Sequence, residues 1–359
     1  MRNDIVELTS RLVAIESVNP GLVAGGSGER EAARAVAEWC ERRGFDVEIV
    51  GDERPSVIAR RHATHAGGRS LLLNGHLDTV GVAGMEAPFE PRVEGDRLYG
   101  RGAFDMKGAL AACLVAAAEI EADVIVTAVA DEELASVGTE TVLEQVRADA
   151  AIVAEPTDLQ VAVAHRGFVG FEIETSGIAA HGSMPHLGDD AIRKIGPVLV
   201  ALDELDARLQ SGARHSLAGT GAIHASVIEG GQEMSSFPAR CVLLGERRTI
   251  PGETLEDVER ELHAIAGGAG VRVVAHRDPF ETTSEHEFVQ VVQRAAGVDD
   301  VVGAPFWTDA ALIAAAGIPT VLVGPSGEGA HAEVEWVDLD SLQRLHDIVV
   351  DVARAWCGR

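Results

Sequence analysis

The sequence predicts an α/β fold: a mixed, mostly parallel sheet with helices on both faces, interrupted by an inserted α+β domain. Short apolar runs alternate with helical patterns in the first and last parts of the chain, as in βα units. In the middle part, apolar and polar residues alternate, as they do in strands with one face exposed to solvent. The chain has 359 residues, more than one compact core usually holds, so two domains are expected.

Residues 1–166 are predicted to form the first part of a catalytic domain. Helical spacing of apolar residues predicts helices over residues 4–16 and 28–43, the second ending at Gly44, a residue type common just after a helix. Strands are expected at residues 46–50, 57–60 and 71–74. An Ala-rich run at residues 106–120 predicts a helix beneath the sheet, so Asp105 should lie at a strand-to-helix junction.

Residues 167–278 are predicted to form the inserted domain, and residues 279–359 return to the catalytic domain. The inserted part has expected strands at 168–175, 224–228, 240–246 and 271–276, with helices at 190–209 and 254–265. The last part has expected helices at 287–296 and 339–356, with a strand at 320–323. These patterns predict a small inserted α+β domain.

Composition and charge restrict the class of protein. Hydrophobic residues make up 46% and charged residues 24%, as in ordinary globular proteins. The sequence shows no signal-like start and no apolar run of membrane-spanning length, so a cytoplasmic protein is expected. The net charge of −27 argues against nucleic acid or an anionic membrane as a partner. The four cysteines lack CxxC spacing, which argues against a structural thiolate site or a disulfide framework.

Imidazoles and carboxylates follow several apolar strand-like runs along the chain. Because the carboxyl ends of parallel strands meet at one edge of a sheet, these side chains are expected to converge in one cleft. The set consists of His76, Asp78, Asp105, Glu132, Glu133, Glu155 and His331. A His-x-Asp triplet alone is often a solvated turn, and a Glu-Glu pair alone is usually surface charge. The ordered set therefore carries the prediction.

The ligand types in this set indicate a two-metal hydrolase. Two imidazoles and three carboxylates without thiolate suit zinc, cobalt or manganese. An aspartate between two histidines can bridge two ions about 3.5–4 Å apart. Neighbouring side chains in Glu132-Glu133 cannot both face one metal, so one glutamate can ligate while the other accepts a proton. Asp78 lies on the same side of an extended segment as His76 and can support its imidazole.

Six motifs give the chain a resemblance to a known family. They are residues 74–80, 98–108, 131–133, 154–157, 180–185 and 329–337. In this order, and over almost the whole chain, they resemble the M20 metallopeptidases and amidases. That family includes acetylornithine deacetylase, succinyl-diaminopimelate desuccinylase, aminoacylase and glutamate carboxypeptidase.

The resemblance implies a role for each member of the metal set. His76 and Glu155 would complete one metal site, Glu133 and His331 would complete the other, and Asp105 would bridge them. Glu132 would be the general base, and Asp78 would support His76. The resemblance also implies a cis peptide after Asp105.

The resemblance further implies that the inserted domain is a lid that forms a homodimer. His181 would reach the partner subunit's active site and stabilise the oxyanion, and Arg248 would hold a substrate carboxylate bidentately. The chain departs from the family pattern in two places. It has Ser235-Ser236 where the family often carries an asparagine, and Glu246-Arg247-Arg248 where the family often has Asp-x-Arg.

The expected activity is zinc-dependent hydrolysis of the amide bond in a small N-acyl amino acid, by a deacetylase- or desuccinylase-like enzyme. A dipeptidase or carboxypeptidase of the same family is the alternative within enzymes. The alternative of another class is a catalytically silent relative that binds metal or ligand. The presence of Glu132 argues against it, because a binding protein has no need of a base beside its metals.

Overall fold

The structure is a computed structural model that describes residues 2–63 and 68–358. The chain divides into two compact units. The first consists of Met1–Val163, Thr282–Val302 and Thr308–Arg359, and the second of Ala164–Glu281 and Gly303–Trp307. The sequence prediction assigned residues 303–307 to the catalytic domain. They pack in the second unit instead, where the Trp307 ring meets Phe168 edge-on with 6.2 Å between ring centres.

A large mixed sheet forms the centre of the first unit. Its strands within this unit lie in the spatial order Asp46–Val50, Ser56–Arg61, Val124–Val129, Leu71–His76, Ala150–Val153 and Thr320–Leu322. The four strands from Val124–Val129 to Thr320–Leu322 run parallel. Asp46–Val50 and Ser56–Arg61 are paired antiparallel at one edge. The predicted mixed α/β class with a mostly parallel central sheet is confirmed.

Helices alternate with the sheet strands along the chain, and two of them, Val137–Leu143 and Ala310–Ala315, were not predicted. In the first unit they are Arg2–Val13, Arg30–Glu41, Gly108–Glu119, Val137–Leu143, Glu287–Ala296, Ala310–Ala315 and Leu339–Cys357. Gly108–Glu119 is buried from Gly108 to Ala117, which explains its small, Ala-rich side chains. The helix begins two residues later than predicted because Asp105 and Met106 have non-helical backbone angles within the irregular turn Ala103–Lys107. The peptide bond Asp105–Met106 is cis, as the resemblance implies.

A small antiparallel sheet in the first unit was not predicted. Its strands lie in the order Gly327–Glu328, Trp336–Asp338, Arg97–Tyr99 and Arg92–Glu94. Trp336 pairs with Tyr99 and Val337 pairs with Leu98. This sheet therefore brings the segment before Asp105 beside the segment after His331.

The second unit has a four-stranded antiparallel sheet with two long helices. Its strands lie in the order Ala222–Gly230, Arg240–Thr249, Gly167–Ser176 and Gly270–Arg277. The helices Ala191–Ser211 and Leu255–Ala266 pack on the face formed by Val169, Phe171 and Ile173. Side chains alternate between the two faces of a strand. Phe168 and its partner Arg248 therefore lie on the opposite face of the sheet. Two short pairs complete the unit: Ala180–His181 with Ser236–Phe237, and Arg214–His215 with Gly219–Thr220.

No helix in the described ranges 2–63 and 68–358 is both long and apolar enough to cross a bilayer.

Candidate metal centre

A buried group of three ligands lies at the carboxyl end of the parallel strands; we call it the inner group: His76, Asp105 and Glu155. His76 is the last residue of Leu71–His76, and Glu155 follows the neighbouring strand Ala150–Val153. The His76 Nε2 atom lies 3.1 Å from Asp105 Oδ1 and 3.9 Å from Glu155 Oε1. Parallel pairing of the two strands thus places the His76 imidazole near the Glu155 carboxylate, and the turn Ala103–Lys107 adds the carboxylate of Asp105.

A second group, the outer group, consists of Asp105, Glu133 and His331. The His331 Nε2 atom lies 2.9 Å from Glu133 Oε2 and 3.5 Å from Asp105 Oδ2. Glu133 follows Asp131, whose φ of 68° turns the chain sharply after Val124–Val129. His331 is also in the left-handed region, with a φ of 62°. Loop conformations, and not a strand, therefore present the outer ligands.

Asp105 is common to both groups, and its two oxygens face different histidines. Oδ1 faces His76 and Oδ2 faces His331. Within each group, the potential ligand atoms lie within 4.8 Å of one another. This is the arrangement that a carboxylate bridging two cations requires.

The charge balance of the cluster favours divalent cations. Burial, together with the negative charge of Glu155, raises the pKa of Glu132 well above its ordinary value. Burial likewise raises the pKa of Glu155, although the His76 charge opposes it. Hydrogen bonds to Asp105 and Glu133 raise the pKa of His331 to about 10. The negative charge of these carboxylates thus exceeds the positive charge of the two histidines, and divalent cations would balance it. Oxygen and nitrogen ligands of this kind suit zinc and similar transition metals.

Asp78 supports both groups, but not in the predicted way. The His76 Nδ1 atom donates to the Asp78 main-chain carbonyl at 2.9 Å, whereas the nearest Asp78 carboxylate oxygen is 3.7 Å away. The carboxylate instead accepts from the amides of Glu132 and Glu133 at 3.1 and 3.2 Å. The expectation that the Asp78 carboxylate holds the imidazole is therefore corrected. Its oxygens are occupied in holding the Glu132-Glu133 turn.

The sequence analysis missed three residues of this centre. Asn19 Nδ2 donates to Asp78 Oδ2 at 2.8 Å and to Asp131 Oδ1 at 2.9 Å, which joins the two turns. In the sequence Asn19 precedes Pro20, a pattern that is typical of a helix end and carries no sign of these contacts. Asp309 accepts from Thr139 Oγ1 at 2.6 Å, and its charge helps to raise the pKa of both Glu132 and Glu155. Glu335 lies within the motif 329–337, and the motif alone did not indicate a role for it.

The other two predicted site residues lie in the second unit. His181 is exposed, pairs with Ser236 across two short strands, and its Nδ1 atom is 2.7 Å from Ser183 Oγ. Arg248 forms an ion pair of 3.4 Å with Glu246, and its guanidinium lies 5.7 Å from the centre of the Phe168 ring. The structure thus brings together the metal set, Glu132 and Asp78 in one unit, and places His181 and Arg248 in the other.

Comparison with known proteins identifies the family. The family model for Peptidase family M20/M25/M40 matches residues 72–355, which include all members of both groups. The chain belongs to this family. The M20 chain is 30% identical to the acetylornithine deacetylase of Myxococcus xanthus over 380 residues, covering 100% of this chain and 98% of that one.

Solved structures show the same fold. Aminopeptidase PepT from Bacillus cereus has a TM-score of 0.80 at 19% identity, covering 98% of both chains. The Bacillus subtilis YXEP protein, a dinuclear metal-binding peptidase from the M20 family, has a TM-score of 0.75 at 16% identity, covering 99% of this chain and 98% of that one. The M20 chain is therefore a metal-dependent hydrolase that acts on linear amide or peptide bonds.

Proposed function

We propose that this enzyme hydrolyses the amide bond of a small N-acyl amino acid, in the manner of a deacetylase or desuccinylase, with two zinc ions. The observation that carries the proposal is Asp105 facing one histidine with each carboxylate oxygen, in the same cluster as Glu132. The similarity to acetylornithine deacetylases over the full chain supports an N-acyl amino acid as the substrate class.

The chain's residues fit two metals in the following arrangement. His76 and Glu155 would hold one ion, Glu133 and His331 would hold the other, and Asp105 would be shared between them. Such ions would supply Lewis-acid chemistry to the amide carbonyl and to a nearby water. Cobalt or manganese suits the same ligands, so metal analysis decides which ion is native.

Glu132 is proposed as the general base. Its carboxylate accepts the proton from the attacking water and returns it to the leaving amine. Burial and the nearby Glu155 charge raise the pKa of the Glu132 carboxyl above its ordinary value, which is the direction that favours proton acceptance near neutral pH. The hydrogen bond from its amide to Asp78 keeps the backbone of Glu132 in place during both transfers.

Two residues of the second unit are proposed to contact the substrate. Arg248 binds its carboxylate through two parallel hydrogen bonds, a geometry for which guanidinium is suited. His181, from the partner subunit of a homodimer, donates to the oxygen that gains negative charge as the carbonyl becomes tetrahedral. The exposure of the His181 side chain supports this role, because a group that acts on another subunit must be accessible.

The decisive experiment is a substrate panel with the purified enzyme and added zinc, cobalt or manganese. N-acetyl and N-succinyl amino acids should turn over faster than dipeptides of similar size. Glu132→Gln protein prepared in the same way controls for hydrolases from the expression host. Faster cleavage of dipeptides would replace the proposal by the dipeptidase alternative, and no turnover of either class would refute it.

The role of His181 is tested by mixing inactive subunits. His181→Ala should lose roughly 10²–10³-fold in kcat and retain its metals. When His181→Ala and Glu132→Gln subunits exchange, a heterodimer has one site with both functional groups, and each heterodimer should recover toward half the rate of one wild-type dimer. Heterodimers that form without regaining activity would show that His181 does not act on its partner.

A further inference from the structure

A buried carboxylate connects the segment that bears Asp105 with the segment that bears His331. Glu335 is 1% exposed. Its Oε2 atom accepts from Arg101 Nη1 at 2.6 Å and from the Gly102 amide at 3.0 Å. Its Oε1 atom accepts from the amides of Phe104 and Asp105 at 2.9 and 3.1 Å. A single side chain thus binds three main-chain amides on the segment that ends at the shared ligand.

These amides need an acceptor because the segment is neither strand nor regular helix. Gly102 has a φ of 80°, and Asp105 has φ and ψ of −119° and 95°. The N–H groups of such a turn cannot all meet main-chain carbonyls in a repeating pattern, and a buried amide without an acceptor is strongly unfavourable. Glu335 supplies that acceptor. The backbone position of Asp105 therefore depends on where Glu335 lies.

Glu335 is itself tied closely to the His331 loop. The Arg101 side chain, whose Nη1 atom donates to Glu335, also donates through Nη2 to the Ala332 carbonyl at 2.9 Å. The loop that carries His331 and Glu335 folds back tightly on itself: Gly329 has a φ of 88°, and a Cβ placed there would lie 1.8 Å from the Val334 oxygen. The pairing of Trp336 with Tyr99 continues the connection into the small sheet. The two ligand-bearing segments are thus held in one rigid arrangement.

We propose that Glu335 is a positioning residue that sets the Asp105 backbone relative to His331, so that the Asp105 carboxylate can serve both metal ions. This inference rests on the proposed function, because it assumes that Asp105 bridges two ions. Glu335 does not touch substrate or metal; it acts through the Asp105 amide and through Arg101.

Glu335→Gln is the variant that separates charge and hydrogen bonding from size. Glutamine has nearly the same shape, but its amide nitrogen is a donor, so one side of the group would meet two donors of the Arg101–Asp105 segment. Glu333→Gln is the matched control. It makes the same change of charge at an exposed residue of the same loop, and it should behave as wild type in every measurement.

Cobalt binding provides a readout that does not depend on turnover. Chelator-treated protein is titrated with Co²⁺ alone, and the visible absorption of bound cobalt reports its ligand geometry. In Glu335→Gln we expect binding at least about 10-fold weaker and a changed spectrum. At saturating metal, kcat should fall while KM for the substrate stays within about two-fold, because substrate contacts are intact.

A second measurement tests the cause directly. Hydrogen exchange in chelator-treated protein should show loss of protection at the amides of Gly102, Phe104 and Asp105 in Glu335→Gln, but not in Glu333→Gln. Leu345→Ala, which removes a buried side chain from the helix Leu339–Cys357, controls for lost stability. It should lower the unfolding temperature and keep both the wild-type cobalt spectrum and the local protection.

The outcomes separate this inference from the proposed function. Unchanged cobalt affinity and unchanged amide protection in Glu335→Gln would overturn the positioning role, as would a Leu345→Ala protein that shows the same spectral change. If Glu335→Gln fails to fold, Arg101→Lys, which keeps the charge but reduces the donors, must show the same weaker cobalt binding. A wild type that binds cobalt but cleaves no amide would refute the proposed substrate, and the cobalt and exchange data would still decide the role of Glu335.

Discussion

The inner and outer groups use the same kinds of ligand but differ in their exposure to solvent. The His76 side chain is 1% exposed, whereas the His331 side chain is 56% exposed. His76 ends a central strand, and its Nδ1 atom donates to a main-chain carbonyl. His331 lies on a loop. The comparison shows that one carboxylate, Asp105, can connect a site built into the sheet with a site at the surface. We therefore expect the two metal ions to exchange with solvent at different rates, and substitutions of the two sets of ligands to differ in their effect.

Metal removal should have the largest effect. Excess chelator should abolish hydrolysis, and zinc, cobalt or manganese should restore it. Because solvent reaches the outer group, one metal equivalent should leave faster than the other, which metal analysis of timed samples can follow. Full activity with only trace metal in excess chelator would contradict the two-metal centre, and simultaneous loss of both ions would remove the expected difference between the groups.

Exchanging the two adjacent glutamates for glutamine should separate base from ligand. Glu132→Gln should lower kcat by at least about 10²-fold and retain both metal equivalents. Glu133→Gln should instead lose the metal of the outer group. The measurements are steady-state kinetics and metal content on the same preparations. If Glu132→Gln loses a metal and Glu133→Gln does not, the two roles are reversed.

Removal of each histidine should distinguish the groups by stability. In chelator-treated protein, His76→Ala leaves a cavity and the buried Asp105 and Glu155 carboxylates without their imidazole, so we expect a loss of about 2–3 kcal/mol in the free energy of unfolding. His331→Ala removes a half-exposed ring and should cost less than about 1 kcal/mol. Urea unfolding measures both values. Equal losses would show that exposure does not govern the difference.

The smallest expected effect is a pH dependence that originates in the outer group. The pKa of His331 is raised from 6.5 to about 10 by its hydrogen bonds to Asp105 and Glu133. A raised pKa stabilises the fold below the unfolded value of 6.5, and this contribution is lost as the pH rises toward about 10. In chelator-treated protein, wild type should therefore exceed His331→Gln in unfolding temperature at pH 6, and the difference should shrink by pH 10. A constant difference would contradict the shift.

Much of the central architecture could be predicted from local patterns. The apolar run at residues 71–74 predicts the strand Leu71–His76 because parallel strands are buried on both faces and contain few polar residues. The small sheet that contains Trp336–Asp338 escaped prediction. Its strands have only two or three residues. Strands this short contain too few residues for the alternation of apolar and polar side chains to be distinguished from a loop sequence.

The sequence by itself determined which side chains can bind metal. His76, Glu133 and Glu155 follow strands whose order in the chain places their ends at one edge of a parallel sheet, so their convergence follows from fold class and spacing. The residue types alone then restrict the chemistry to nitrogen and oxygen ligands.

Only the tertiary structure decided how those ligands are held. The hydrogen bonds from the Asp105 segment to Glu335 join positions separated by 230 residues or more. Asn19 binds Asp78 and Asp131, which lie 59 and 112 residues away along the chain. Nor could spacing show that a main-chain carbonyl, and not the Asp78 carboxylate, holds the His76 ring. Hydrogen bonds depend on atoms meeting within a few tenths of an ångström. Local sequence patterns determine periodicity and burial, but such distances arise only when distant segments have packed.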